Sequence, residues 1–383
     1  MKSSRRSEVA PFYVMEVMKA AAERERTAGG VLHLEVGQPS TPAPLGVREA
    51  AAAALHTERL GYTEATGIPE LRERIAAHYD EAYGVEVSVD RVAVTVGASG
   101  GFVLAILAAF DAGDRVAITE PGYAAYRNIL EALDIAVVPI PVGPGTRFNP
   151  TPRLLDAAGP LDGLVVASPA NPTGTILTTD EMSALASHAQ ERGIRMLSDE
   201  IYHGITYGPV APTAVAHSES AVVLQSFSKY YSMTGWRLGW LILPEDLIRP
   251  VERLAQNLFI SAPALSQAGA VFAFDCTEEL DANVARYAVN RQILVEGLAA
   301  AGITKIAPAE GAFYVYAEVS HLTDTSQTLC STWLEETGVA VTPGIDFDPA
   351  QGHRYVRFSY SGSTEDITEA VRRLIEWSHH HQP

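Results

Sequence analysis

The 383-residue chain is poor in cysteine and in basic residues, and it has no long apolar run. Its two cysteines, Cys276 and Cys330, are too few for a disulfide framework or a zinc knuckle. The 28 basic residues against 46 acidic ones give a net charge of −18, which argues against nucleic-acid binding. The longest apolar run, residues 102–110, is too short to cross a bilayer. We expect a cytoplasmic protein that binds neither nucleic acid nor membrane, and we predict no metal site.

The chain alternates between helical and strand patterns over most of its length. From about residue 45, short β-branched segments such as Arg91–Val96 and Arg195–Ser198 are separated by helical ones. That order predicts an α/β fold with a mostly parallel sheet sandwiched by helices. After residue 277 a long helix, two strands and two further helices predict a smaller α+β unit. We predict a large domain at 41–284 and a small domain built from both termini, 1–40 plus 285–383.

A lysine and an arginine follow one of the predicted buried strands. In the segment 226–239, Lys229 stands three residues after Ser226, and Arg237 lies eight residues beyond the lysine. A lysine in such a place can form a Schiff base with an aldehyde cofactor, and a planar guanidinium can clamp a phosphate. A surface loop with both charges in solvent is the alternative.

Polar residues follow two other predicted strands. Asp199 ends one of them, and an aspartate beside a pyridine nitrogen would keep that nitrogen protonated. Asn171 lies in an Asn-Pro-Thr-Gly sequence, where its amide could donate to a cofactor oxygen. A helix cap for Asp199 and a plain turn at 171–174 are the alternatives.

Two further segments could bind anions. Residues 96–101 join a strand to a helix with small side chains, which is typical of an anion nest at a helix start. Arg357 lies on a predicted strand and could pair bidentately with a carboxylate. An ordinary turn and a solvated arginine are the alternatives.

In combination these segments resemble the class I and II aminotransferases, the fold-type I pyridoxal 5′-phosphate enzymes. The resemblance rests on the Ser-x-x-Lys pattern with an arginine eight positions further, on residues 171–174 and on residues 199–202. It implies a seven-stranded sheet and a pyridoxal 5′-phosphate cofactor held by Lys229 as a Schiff base. It also implies transfer of an amino group between an L-amino acid and a 2-oxo acid in two half-reactions.

The resemblance assigns roles to individual residues. Catalytic roles fall on Lys229, Asp199 and Tyr202. The cofactor-binding residues would be Ala98, Ser99, Tyr123, Asn171, Asp199, Tyr202, Ser226, Lys229, Arg237 and Tyr62. The substrate-binding residues would be Gly37, Asn171 and Arg357. Because Tyr62 matches a tyrosine that reaches the neighbouring subunit's phosphate, we expect a homodimer with a shared active site.

The motifs leave other activities open. The same cofactor supports β-elimination, as in a cysteine-S-conjugate β-lyase, as well as racemisation and decarboxylation. A non-enzymatic ligand sensor of this fold would be expected to carry a DNA-binding segment, which the acidic charge disfavours. Strict dicarboxylate specificity is also disfavoured, because residues 257–266 offer no counterpart of the second arginine of the aspartate-specific subgroup. Residues 11–13 either line the pocket or pack in the core.

Overall fold

The computed structural model describes residues 2–208 and 210–381. Within these residues the chain forms twelve α-helices and twelve β-strands. The helices are α1 Tyr13–Thr27, α2 Leu45–Thr57, α3 Pro69–Tyr83, α4 Gly97–Ala109, α5 Ala124–Ala132, α6 Pro152–Ala157, α7 Thr179–Arg192, α8 Glu245–Leu258, α9 Ala264–Ala270, α10 Thr277–Ala300, α11 Ser326–Thr337 and α12 Thr364–His381. The strands are β1 Leu32–His33, β2 Val92–Thr95, β3 Arg115–Glu120, β4 Ala136–Pro141, β5 Gly163–Ala167, β6 Arg195–Asp199, β7 Val222–Ser226, β8 Gly239–Ile242, β9 Tyr314–Glu318, β10 Val339–Ala340, β11 Thr342–Pro343 and β12 Tyr355–Ser359.

The larger sheet has seven strands in the order β2-β8-β7-β6-β5-β3-β4. Strand β8 is antiparallel to both of its neighbours, and the remaining neighbouring pairs are parallel. The prediction of a mostly parallel seven-stranded sheet is confirmed. In the register of this sheet Ala167 pairs with Asp199, and Asp199 pairs with Leu224. The last residues of β5 and β6 and the end of β7 therefore lie side by side at one edge.

The central strands are buried on both faces. Along β7, Val223 packs in one hydrophobic cluster, whereas Val222 and Leu224 pack in the cluster on the opposite face. Burying one such side chain stabilises the fold by roughly 1.5–3 kcal/mol. Because both faces are covered, the strands are continuous apolar runs rather than alternating ones, which is why the sequence reveals them.

Local signals set the ends of several helices. The Thr178 hydroxyl accepts from the Glu181 N–H, the Glu181 carboxylate accepts from the Thr178 N–H, and this capping box begins α7. Gly193 ends α7 with φ +67°, a conformation that favours glycine.

The chain ends form a second unit beside the large sheet. Strands β11, β12 and β9 make an antiparallel sheet, and β1 pairs in parallel with β10. The N-terminal segment therefore joins the C-terminal part of the chain, as expected. The domain boundaries at 40/41 and 284/285 stay predictions, and α10 runs through the second of them.

The structure differs from the sequence-based elements at several places, since helices α6, α8 and α9 and the short strands β10 and β11 were not predicted. The strand expected at residues 31–36 is limited to Leu32–His33, because only these two residues pair with β10. Strand β8 was not predicted, although its residues form a short apolar run between Gly235 and Pro244. None of the helices within residues 2–208 and 210–381 combines the length and the apolar character that a membrane crossing requires.

Candidate active site

A cavity of about 340 Å³ opens beyond the carboxyl ends of the parallel strands. Ligands of open α/β sheets bind at this edge. The second unit closes the cavity from the opposite side with Gly37, Tyr314 and Arg357. The predicted site residues that line the cavity are Gly37, Ala98, Ser99, Tyr123, Asn171, Asp199, Tyr202, Ser226, Lys229, Arg237 and Arg357.

One end of the cavity is built for an anion. Ala98 and Ser99 stand in the first turn of α4, where backbone N–H groups lack helical partners and the helix dipole is positive. A Cβ added to Gly97 would lie 2.5 Å from the Arg237 Nη2, so the guanidinium sits directly against the helix start. Gly97 also has φ +67°. Only glycine allows this approach, and the result is a positively charged end of the cavity.

Lys229 lies in the middle of the cavity wall. Its Nζ donates to the Gly37 carbonyl oxygen at 2.7 Å and thereby joins the two sides of the cavity. Burial, assisted by the charges of Arg357 and Arg237, lowers the pKa of Lys229 to about 8, whereas Asp199 opposes this shift. A buried amine with a lowered pKa spends more time unprotonated and is a better nucleophile.

Asp199 is the buried acid of the site. Burial raises the pKa of Asp199 to about 6, while hydrogen bonds from Tyr126 and from the Ile201 N–H, together with the Lys229 charge, hold the pKa down. The Ile201 N–H donates to Oδ1 at 3.1 Å, and the Tyr126 hydroxyl donates to Oδ2. These donors favour the carboxylate form, so Asp199 can carry a negative charge in the cavity near neutral pH.

Two tyrosines meet between Lys229 and the second unit. The hydroxyls of Tyr202 and Tyr314 are 2.7 Å apart. A Cβ on Gly37 would come within 1.7 Å of the Tyr314 oxygen, so glycine is required at position 37. The Lys229 Nζ lies 5.7 Å from the centroid of the Tyr202 ring. The phenol of Tyr202 is therefore fixed beside the amine.

Arg357 is held rigidly at the other end of the cavity and is only 3% exposed. Its Nη1 donates to the Asn171 Oδ1 at 3.0 Å, and its Nη2 donates to the Glu35 carbonyl oxygen at 2.5 Å. The guanidinium lies 4.4 Å from the Tyr314 ring centroid and 4.8 Å from that of Phe347. Its buried Nε has no hydrogen-bond partner among the described residues. An unpaired buried donor costs stability, whereas the guanidinium as a whole places a positive charge in the cavity wall, where a carboxylate could bind.

Comparison with known proteins agrees with this geometry. Residues 30–374 match the family model described as aminotransferase class I and II. The chain belongs to this family. It is an enzyme that transfers amino groups between amino acids and 2-oxo acids.

Three relatives are similar over nearly the whole chain. A valine–pyruvate aminotransferase of Mycobacterium tuberculosis is 54% identical over 97% of each chain. The crystal structure of an aminotransferase from the same organism has a TM-score of 0.97 at 54% identity, covering 98% of this chain and 99% of that one. The aspartate aminotransferase of Thermus thermophilus with maleate has a TM-score of 0.92 at 31% identity, with coverage of 98% and 99%.

Tyr62 is the one predicted site residue of this aminotransferase that does not line the cavity. Its side chain is 85% exposed. Its neighbour Thr63 donates through its backbone N–H to the Ser261 hydroxyl at 3.4 Å. A tyrosine that reached a second subunit would be exposed in this way in a single chain, so its predicted role stays a prediction.

Sequence reasoning missed several cavity residues of the enzyme. Tyr126 follows Tyr123 by three residues, a helical spacing that could have marked it. Tyr314 gave no such signal, because only the tertiary fold brings β9 to the cavity. Of the N-terminal residues whose role was left open, Phe12 lines the cavity and Tyr13 does not. The missed lining residues include Val14, Met15, Met18, Tyr126, Ile129, Ser228, Thr234 and Tyr314.

Proposed function

We propose that the enzyme binds pyridoxal 5′-phosphate in this cavity and catalyses transamination through Lys229. The residues fit the cofactor part by part. The α4 start, Ser226 and Arg237 would hold the phosphate, and Asp199 would hold the ring nitrogen. Tyr202 and the amide nitrogen of Asn171 would donate to the ring oxygen, and Tyr123 would cover the ring.

Each side of the cavity has its own task in the proposed reaction. When bound, the cofactor supplies an aldehyde carbon for the lysine and a ring that withdraws electrons from the substrate Cα. Arg357 would bind the α-carboxylate through its guanidinium and orient the substrate. The Lys229 amine would take the proton from the substrate Cα and hold it within reach of the carbon that the cofactor's aldehyde supplies. Asp199 keeps the ring nitrogen protonated through its negative charge.

The observation that carries this proposal is the Lys229 amine itself. It is half-buried, has a pKa lowered to about 8, and shares one cavity with the Asp199 carboxylate and two arginines. Perturbed titrating groups of opposite sign in one cleft are typical of catalytic sites. Structural ion pairs are the usual alternative for such groups, but Lys229 donates to a carbonyl oxygen rather than to a carboxylate.

Borohydride reduction followed by peptide mass spectrometry tests the proposal. We expect the cofactor mass on Lys229 in the wild type and its absence in Lys229→Ala, together with a loss of turnover of at least about 10⁴-fold. Lys305→Ala, which removes an exposed lysine paired with Glu318, is the matched control. Full activity of Lys229→Ala would contradict the assignment.

Product analysis distinguishes transamination from elimination on the same cofactor. The enzyme mixed with an amino acid alone should release about one 2-oxo acid per subunit and then stop until a 2-oxo acid is added. A β-lyase would release ammonia continuously. Steady ammonia release at a rate comparable with transamination would favour the second activity.

For the amino donor we propose a neutral amino acid, with pyruvate as an acceptor. The related Mycobacterium tuberculosis enzyme is named for valine and pyruvate. The cations that line the cavity within the described residues are Lys229, Arg237 and Arg357, and each already has a proposed partner. A donor such as aspartate would bring a second carboxylate without a free cation. Comparing valine with aspartate as donors, each with pyruvate, tests the proposal.

We also propose a homodimer in which Tyr62 completes the partner's phosphate site. Coexpression of Tyr62→Ala with Lys229→Ala chains tests it, because a mixed dimer would contain one site with both groups. We expect about a quarter of wild-type activity in the mixture from such a site, far above either variant alone. Simple averaging of the two variants would contradict a shared site. The proposed location is the cytoplasm, and the unpaired thiols of Cys276 and Cys330 support it.

A further inference from the structure

The N-terminal end of helix α1 is capped by a residue from the far end of the chain. The buried carboxylate of Asp346 accepts from the backbone N–H groups of Tyr13 at 3.0 Å and Val14 at 3.2 Å. The helix's own N-cap residue, Phe12, makes no side-chain cap bond. Asp346 therefore satisfies two of the free N–H groups of α1 and faces the positive end of its dipole.

Helix α1 has two apolar faces with different surroundings. Val17 and Ala21 pack against Leu334 and Ala340 of the second unit. Val14, Met15 and Met18, together with Phe12, line the active-site cavity. The Met15 side chain is 54% exposed although it is apolar, which is expected of a residue at the mouth of a binding site.

The opposite side of this cavity region is also apolar. Ile129 lines the cavity, and the Tyr123 ring meets the Phe12 ring edge to face, with centroids 5.8 Å apart. Flexible methionines and aromatic rings adapt to apolar side chains of different length. An amino acid whose carboxylate binds Arg357 would find this apolar wall as its side-chain environment.

The loop that carries Asp346 also reaches the carboxylate end of the site. The next residue, Phe347, places its ring against the Arg357 guanidinium. Its carbonyl oxygen accepts from the Gly122 N–H at 3.0 Å, directly before Tyr123. One short segment thus positions the apolar wall relative to the carboxylate clamp.

We infer that Asp346 is a positioning residue for side-chain recognition. It fixes α1 so that Phe12, Met15 and Met18 contact the apolar side chain of the amino donor. This inference rests on the proposed transamination at the same cavity. Asp346 touches neither the cofactor nor the substrate in this scheme and acts through the position of the helix.

The test compares donors of different side-chain length in the holoenzyme. In Asp346→Ala, kcat/KM for valine and leucine should fall about tenfold more than kcat/KM for alanine, whose methyl group does not reach α1. Asp346→Asn keeps one acceptor oxygen, so its loss of kcat/KM for valine and leucine should lie between those of the wild type and Asp346→Ala. Met18→Ala shortens the apolar wall and leaves the cap intact. It should also change the ratio of kcat/KM for leucine to kcat/KM for alanine.

Asp348→Ala is the matched control. Asp348 is a buried aspartate of the same loop, and its Oδ1 accepts from the Ala350 and Gln351 N–H groups instead of from α1. Its variant disturbs the loop without uncapping the helix, so the leucine-to-alanine ratio should stay that of the wild type.

Hydrogen exchange gives a readout that needs neither cofactor nor turnover. In the full chain without cofactor, a peptide covering residues 12–20 should exchange about tenfold faster in Asp346→Ala than in the wild type or in Asp348→Ala. This measurement also detects general unfolding, which would accelerate exchange throughout the chain. Faster exchange confined to α1 supports the inference.

The outcomes separate the inference from the function on which it rests. If the wild type transfers no amino group from any donor, the proposed function fails. If the wild type is active but Asp346→Ala leaves both the leucine-to-alanine ratio and the α1 exchange unchanged, the function stands and the positioning role is overturned. The positioning role would also be overturned if Asp348→Ala changed the leucine-to-alanine ratio as much as Asp346→Ala does.

Discussion

The two sides of the cavity are built in different ways. We call the side beyond the parallel strands the sheet wall; it carries Ala98, Ser99, Asn171, Asp199 and Lys229. The side from the second unit, the terminal wall, carries Phe12, Met15, Met18, Gly37, Tyr314 and Arg357.

Residues of the sheet wall lie close in sequence to a strand that positions them, such as Asp199 at the last position of β6. Residues of the terminal wall are joined by contacts between distant parts of the chain, such as the bond of Arg357 to the Glu35 carbonyl, 322 residues away. In our proposal the sheet wall performs chemistry and the terminal wall recognises the substrate.

The largest effect is expected for Asp199→Asn, which tests whether the sheet wall performs the chemistry. The substitution removes the negative charge and should lower kcat about 10³-fold for alanine and valine alike, because the lost group acts on chemistry. Single-turnover rates with saturating donors measure it. A loss below tenfold, or one that differs between the two donors, would break the comparison.

Arg357→Lys in the terminal wall should cost about 100-fold in kcat/KM, mostly through KM. An ammonium cannot present the planar fork or keep the contacts with Asn171 and the Tyr314 ring. Arg354→Lys is a suitable control, since this half-exposed arginine pairs with Glu318 away from the cavity. A large drop in kcat at unchanged KM would assign Arg357 to chemistry instead.

Lys229 joins the two walls, and its burial should cost stability in the protein without cofactor. Its pKa is lowered from 10.5 to about 8, so the unfolded chain binds more protons than the folded one between these values. The free energy of unfolding therefore rises as the pH increases from about 8 to 10.5, and below pH 8 the buried charge of Lys229 lowers it by the full amount. Lys229→Met should raise the free energy of unfolding by about 3 kcal/mol at pH 7, with the gain vanishing near pH 10.5.

Chemical denaturation at several pH values measures this difference. Lys305→Met, at an exposed lysine, should show no such pH-dependent gain. A constant difference between Lys229→Met and the wild type across pH 7–10.5 would mean that side-chain packing rather than charge burial is responsible.

The smallest effect is expected for Tyr126→Phe. Burial raises the pKa of Asp199 to about 6, and the Tyr126 hydroxyl opposes that rise. Without the hydroxyl the pKa of Asp199 should move higher. Cofactor affinity depends on the ionised carboxylate, so it should fall about fivefold more at pH 6 than at pH 8 relative to the wild type.

Cofactor titration of the cofactor-free protein at both pH values measures this ratio. Tyr355→Phe, at a partly buried tyrosine that stacks on Tyr316 outside the cavity, is the control. An equal loss of cofactor affinity at pH 6 and pH 8 would show that Tyr126 acts by packing alone.

The sheet wall could be predicted residue by residue because each of its motifs is local. A buried parallel strand is visible as an apolar run, and the residues that follow it must lie at the carboxyl edge of the sheet. This pattern places Asn171, Asp199 and Lys229 directly after predicted strands, and the structure brings all three to one cavity. It missed β8, whose antiparallel direction depends on pairing with β2 and β7.

Period and residue type in the sequence predict a mostly parallel α/β fold and the chemical groups that follow its strands, whereas the count of seven strands came from the family resemblance. Only the tertiary structure decided that α1 borders the cavity, that Asp346 caps it and that Tyr314 fills the space at Gly37. The contacts of Asp346 with α1 and of Tyr314 with Gly37 join segments more than 270 residues apart in sequence. No local pattern encodes such a contact, because its free energy is gained only when the two chain ends pack together.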